Sequence, residues 1–116
     1  MQVAAIQKKL RRFSKQRDWD QFHNPKNLAM ALVVEAAELA EIFQWMTPDQ
    51  AAQCAKDPEI AKQLRHEIAD VQIYLLRLAD KLKIDLSAAI EEKMQLNAAK
   101  YPVALAKGNA LKYSRR

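Results

Sequence analysis

Three of the four prolines in this chain follow directly on a residue whose side chain caps helices: Asn24-Pro25, Thr47-Pro48 and Asp57-Pro58. Proline lacks the amide hydrogen that the first helical position leaves unused, and its fixed φ suits that position, so each pair marks a helix start. At Thr47 the signal is stronger, because Gln50 stands three residues on and completes a capping box. Half of the residues are hydrophobic and only one is glycine, which leaves little turn-forming material for a sheet. The expected fold is all-α, an antiparallel bundle of four main helices plus a short connecting helix, in one domain spanning residues 1–116.

The apolar periodicity supplies the helices. Val3, Ile6, Leu10 and Phe13 recur at three- and four-residue steps among Lys, Arg and Gln, which predicts a first amphipathic helix ending near Arg17. Asp18 to Asn24 reads as a loop. A second helix then runs from Pro25 to about Met46, and a short one from Pro48 through Ala55. Ile60, Leu64, Ile68, Val71, Leu75, Leu78 and Leu82 form the stripe of another long helix ending near Lys83. Asp85 caps a last helix with Leu86, Ile90 and Met94 on one side. It must stop near Lys100, because Pro102 disfavours helical geometry in the residue before it. Residues from about 102 to 116 read as an irregular basic tail.

Charge is unevenly spread. Residues 1–17 hold six basic side chains and no acid, residues 93–116 hold six more and no acid, and the stretch between carries all fourteen acids against seven bases. Basic flanks around an acidic centre suit an anionic substrate gripped beside a carboxylate–metal site; they also fit a nucleic-acid-binding module, the less favoured alternative. No continuous apolar stretch approaches the roughly 20 residues needed to span a bilayer. The lone Cys54 offers neither an intrachain disulfide nor a thiolate cage, so a cytoplasmic setting without membrane contact is expected.

The acids themselves demand an explanation. Between Leu28 and Met46 the only charges are Glu35, Glu38 and Glu41, in a helix apolar on nearly every side. Glu35 and Glu38 stand three apart and can point at one ion, with Glu41 a further step round. Four residues beyond each comes Leu39, Ile42 or Trp45, not a Lys or Arg. The later long helix repeats the arrangement with Glu67 and Asp70, followed by Val71 and Tyr74. Clustered carboxylates in an apolar setting are costly to ionise, and a divalent cation relieves that cost. An all-carboxylate set selects a hard ion, Mg²⁺ with Mn²⁺ as a substitute. The alternative is that these acids face solvent or pair with bases from other helices.

Glu35-Ala-Ala-Glu38 and, after 28 intervening residues, Glu67-Ile-Ala-Asp70 resemble the metal-binding pattern of the MazG-like all-alpha nucleoside triphosphate pyrophosphohydrolases. Residues Arg17 to Asn27 (RDWDQFHNPKN), Glu38 to Trp45 (ELAEIFQW), Asp70 to Tyr74 (DVQIY), Lys93 to Asn97 (KMQLN) and Tyr101-Pro102 bring the likeness closest to the dCTP pyrophosphatase branch. The resemblance implies hydrolysis of a deoxynucleoside triphosphate, dCTP or a modified dCTP, to the monophosphate and pyrophosphate, with Mg²⁺ held by Glu35, Glu38, Glu67 and Asp70. It also implies a nucleoside pocket of Trp19, His23, Trp45, Tyr74 and Asn97, phosphate contacts from Lys93, Tyr101 and Lys112, and a homo-oligomer, dimer or tetramer. A different or non-standard nucleotide on the same scaffold is the alternative substrate. Where that branch has Gly before each Glu of the first pair, this chain has Val34 and Ala37. Among the carboxylates Glu38, central between Glu35 and Glu41, is the expected proton acceptor, and Glu41 is an extra ligand, an orienting group or a structural acid.

Overall fold

The computed structural model describes residues 1–115, and among them every regular element is helical. Six α-helices follow in order: α1 Val3–Gln16, α2 Pro25–Phe43, α3 Pro48–Gln53, α4 Pro58–Lys81, α5 Leu86–Lys100 and α6 Val103–Ala106. The chain divides into two compact units, Met1–Ile84 and Asp85–Arg116.

Each proline-marked start is built as the sequence predicts. Asn24 accepts a hydrogen bond from the Asn27 amide, Thr47 and Gln50 form the reciprocal capping box, and Asp57 accepts from the Glu59 and Ile60 amides. Asp85 caps α5 through the Ala88 amide.

The helix ends depart further from expectation, and α1 and α4 end in the same way. At α1 the Asp18 amide donates to Lys15 O and the Trp19 amide to Ser14 O; at α4 the Lys83 amide donates to Asp80 O and the Ile84 amide to Ala79 O. This is the Schellman pattern, which places one residue in the left-handed region. Here those residues are Asp18 (φ 54°) and Lys83 (φ 56°), not glycine. Helix α2 stops at Phe43, three residues before Met46, because Thr47 must be extended (ψ 162°) to cap α3 and the chain tightens toward it through the Met46 amide to Phe43 O. Residues 20–22 form a 3₁₀ turn within the expected loop. The C-terminal tail is not irregular throughout: it contains α6 and a 3₁₀ turn at Tyr113–Arg115.

In the first unit α2 runs antiparallel to α4, since Glu35 lies with Asp70 and Arg77 while Glu41 and Gln44 lie with Gln63. Helix α1 runs parallel to α4: Gln7 donates to Leu76 O and Arg11 pairs with Asp80. That is the up-down-up order expected of three successive bundle helices. Leu28, Leu76 and Ala79 are the buried hydrophobic core, and Ser14 and Arg77 are buried with them. Met30, Val33 and Val34 of α2 remain more than half exposed.

In the second unit the Tyr101 and Tyr113 rings meet edge to face at 6.2 Å, and Lys100 lies over the Tyr113 ring. No helix among the described residues is long and apolar enough to cross a membrane.

Candidate metal centre and adjoining cavity

The antiparallel packing of α2 on α4 brings one i,i+3 acidic pair against the other. Carboxylate oxygens of Glu35, Glu38 and Glu67 lie within 4.8 Å of one another. Asp70 completes the group electrostatically, its charge acting on both Glu35 and Glu67. Desolvation, followed by repulsion from Glu38, pushes the Glu35 carboxyl up to about 7. Glu67 is raised for the same leading reason, with Glu38 and Asp70 adding to it.

One oxygen of Glu35 and one of Glu67 are buried with no hydrogen-bond partner. A buried acceptor left unsatisfied costs about 1–3 kcal/mol, more when charged. Oxygen donors that are crowded, desolvated and unpartnered fit a hard divalent cation, which would satisfy the orphaned atoms and offset the mutual repulsion. Glu38 and Glu41 are exposed and line an outer cleft with Ile42, Gln44, Gln63 and Glu67. Glu41 is therefore one step outward from the half-buried Glu35 and Glu67.

On the other side of Glu35 and Asp70 opens a cavity of about 360 Å³, a volume in the range of small-molecule sites. Leu10, Phe13 and Ile73 give it apolar walls, Trp19 and Tyr74 aromatic ones, and His23, Ser14 and Arg77 polar ones. The Schellman turn after α1 fixes where Trp19 begins, and its ring meets Phe13 edge to face at 5.7 Å and His23 at 6.5 Å. His23 Nδ1 lies 3.4 Å from Ser14 Oγ and 3.3 Å from Arg77 Nη2. Burial, and then the Arg77 charge, hold the His23 pKa below its ordinary value.

Three of the expected pocket residues, Trp19, His23 and Tyr74, thus share one cavity with two of the acids. Trp45 does not: it follows the end of α2 and is 88% exposed. It lies in the turn that replaces the expected last helical residues, so its side chain is directed by that turn and not by the α2 face that carries the glutamates. Lys93, Asn97, Tyr101 and Lys112 belong to the second unit, whereas the cavity is built from first-unit residues alone.

Sequence reasoning missed Arg77, Ser14 and Asp20. Arg77 is 2% exposed, donates to Asp20 Oδ1 at 3.0 Å and stands 3.6 Å from Asp80. Asp20 also accepts from Lys81 at 2.7 Å, and that bond is the main reason its carboxyl titrates below the usual range. The signal was available: Arg77 follows Asp70 by seven residues, two helical turns on the same face, as the one base in an apolar run.

A family model described as "MazG-like family" matches residues 30–115. The chain is 45% identical over 102 residues to dCTP pyrophosphatase 1 of Rattus norvegicus and 43% identical to that of Homo sapiens, covering 88% of this chain in each case. It spans 60% of the length of those curated relatives. The crystal structure of a pyrophosphatase from Archaeoglobus fulgidus superposes with a TM-score of 0.81 at 39% identity, covering 88% of this chain and 94% of that one.

Proposed function

Since the chain belongs to the MazG-like family, we propose that it is a Mg²⁺-dependent nucleotide pyrophosphohydrolase that converts a deoxynucleoside triphosphate, dCTP or a modified dCTP, to the monophosphate and pyrophosphate. The observation that carries this reading is the pair of buried, unpartnered carboxylate oxygens on Glu35 and Glu67, one step from an aromatic cavity. The relatives named dCTP pyrophosphatase 1 support the choice of base.

In this reading Glu35, Glu38, Glu67 and Asp70 hold Mg²⁺. When bound, the ion neutralises charge that gathers on the phosphoryl oxygens. Glu38, exposed at the outer edge of the cluster, accepts the proton of the attacking water, with Glu41 beside it as an orienting acid. Trp19 and Tyr74 flank the nucleoside, and base stacking on such rings is worth about 1–3 kcal/mol. The apolar walls of Leu10, Phe13 and Ile73 keep water from the base.

In the same reading Trp45 and Asn97 contact the nucleoside, Lys93, Tyr101 and Lys112 contact phosphates, and the chain assembles as a homodimer or tetramer. The half-exposed Met30, Val33 and Val34 on α2 give such an assembly an apolar face to cover. The proposed role is clearance of unwanted nucleotides in the cytoplasm, where the free Cys54 thiol persists.

Incubation with each nucleoside triphosphate and Mg²⁺ tests the reading. dCMP and pyrophosphate should form from dCTP, and Glu35→Ala should abolish their release. Release of orthophosphate, or turnover that survives Glu35→Ala, would sink it. Running the reaction in ¹⁸O-water identifies the phosphorus that water attacks.

A further inference from the structure

The two ring nitrogens of His23 have different surroundings. Nδ1 faces the Arg77 Nη2 donor at 3.3 Å and the Ser14 hydroxyl, which can donate or accept, at 3.4 Å. Nε2 has no hydrogen-bond partner among the described residues, and the ring lines the cavity. A guanidinium only donates and keeps its protons, so the nitrogen it meets must offer a lone pair. A neutral imidazole with its lone pair on Nδ1 carries its hydrogen on Nε2.

Arg77 is itself held in place. Asp20 accepts from it at 3.0 Å, Asp80 lies 3.6 Å away, and Asp80 is anchored in turn by Arg11 at 2.8 Å. The charged groups acting on the ring are Arg77 and Lys81 of α4, which oppose a second proton, and Asp20 of the 3₁₀ turn, which favours one; burial and the two cations prevail.

We propose that Arg77 is a positioning residue that locks His23 in its Nε2–H form, so that the cavity presents a ring donor and selects a nucleoside group offering a lone pair there, such as a ring nitrogen or carbonyl of the base. Arg77 follows Asp70 by seven residues, about 10 Å along the helix axis at 1.5 Å per residue, which puts this donor toward the base when the phosphates meet the carboxylates. The lock stands on the Arg77–His23–Ser14 geometry alone; the selection of a nucleoside acceptor rests on the nucleotide reading above.

The chain has two histidines, so His66→Gln leaves one imidazole to observe. Long-range ¹H–¹⁵N spectra of that protein at pH 8, without nucleotide, should show a lone-pair nitrogen at Nδ1 and a protonated one at Nε2. Arg77→Met should mix the two forms and raise the His23 pKa, and Arg77→Lys should restore much of the lock. Because Arg77→Met leaves Asp20 with Lys81 alone and Asp80 with Arg11 alone, a second pair of variants keeps the test independent of its folding. His23→Gln places an amide donor at the ε position and His23→Asn places one at the δ position. With Mg²⁺ and a non-hydrolysable dCTP analogue, His23→Asn should bind about tenfold more weakly, one hydrogen bond's worth, and His23→Gln should stay within about twofold. A wild-type ring protonated at Nδ1 or freely exchanging overturns the lock, and full affinity in His23→Asn overturns the selection. A protein that shows the lock but does not bind the analogue upholds the lock and counts against the nucleotide reading.

Discussion

Replacing Glu35 by Gln should make the cation-free protein more stable while removing its response to Mg²⁺. The carboxyl is pushed from an ordinary 4.5 to about 7. One pKa unit corresponds to about 1.4 kcal/mol, so the ionised form costs the folded state at most about 3.5 kcal/mol, reduced by solvent reaching the site to about 1–2 kcal/mol. Below pH 4.5 the group is protonated in both folded and unfolded chains and costs nothing. Between 4.5 and 7 the unfolded chain loses the proton first, so stability falls as pH rises, and above 7 the full penalty is present. Gln keeps the shape without the charge. In EDTA at pH 8, Glu35→Gln should melt roughly 5 °C above the wild type, and at pH 4 the two should coincide. Saturating Mg²⁺ should reverse the order, since a ligand at 100 times its Kd adds about 2.7 kcal/mol to the wild type and little to the variant. Thermal melts of both proteins at both pH values, with EDTA and with Mg²⁺, decide the matter. Equal melting in EDTA at pH 8, or an equal Mg²⁺-induced rise in both proteins, would refute the reasoning.

Other consequences are open to measurement. Apparent Mg²⁺ affinity should fall as pH drops below 7, by up to about tenfold per unit, because the ion displaces the Glu35 proton; calorimetric titration in buffers of differing ionisation enthalpy would detect that proton. Lys83→Gly should stabilise the fold by about 0.5–1 kcal/mol, read as a raised urea midpoint at constant slope, since φ 56° suits glycine; a lowered midpoint would contradict the C-cap reading. Trp45→Ala should leave the monomer's fold intact while raising KM about tenfold, as loss of one stacked ring would; an unchanged KM would remove Trp45 from the pocket.

Helix starts were legible because capping chemistry is local: Asn24, Thr47, Asp57 and Asp85 bond amides two or three residues away. Helix ends were less so, because the usual marker is a left-handed glycine and this chain puts Asp18 and Lys83 there. The carboxylates stood out as charges on apolar helices without neighbours to pair with. Arg77 was obscured for the converse reason: its partner Asp20 is 57 residues away and joins it only through tertiary packing. Trp45 shows the limit of helical spacing as a guide, since α2 ends two residues before it.

The oxygens gathered between α2 and α4 come from segments far apart in sequence. A cation seated there would cross-link the chain as a disulfide does, closing a loop with 28 residues between Glu38 and Glu67. Closing a loop of that length removes unfolded-chain entropy worth about 3–4 kcal/mol. Unlike a covalent bridge, this one would be made and broken by the free cation concentration. Since α2 already packs on α4 without it, such a cross-link would add to that packing and ask little of the α3 connector inside the loop.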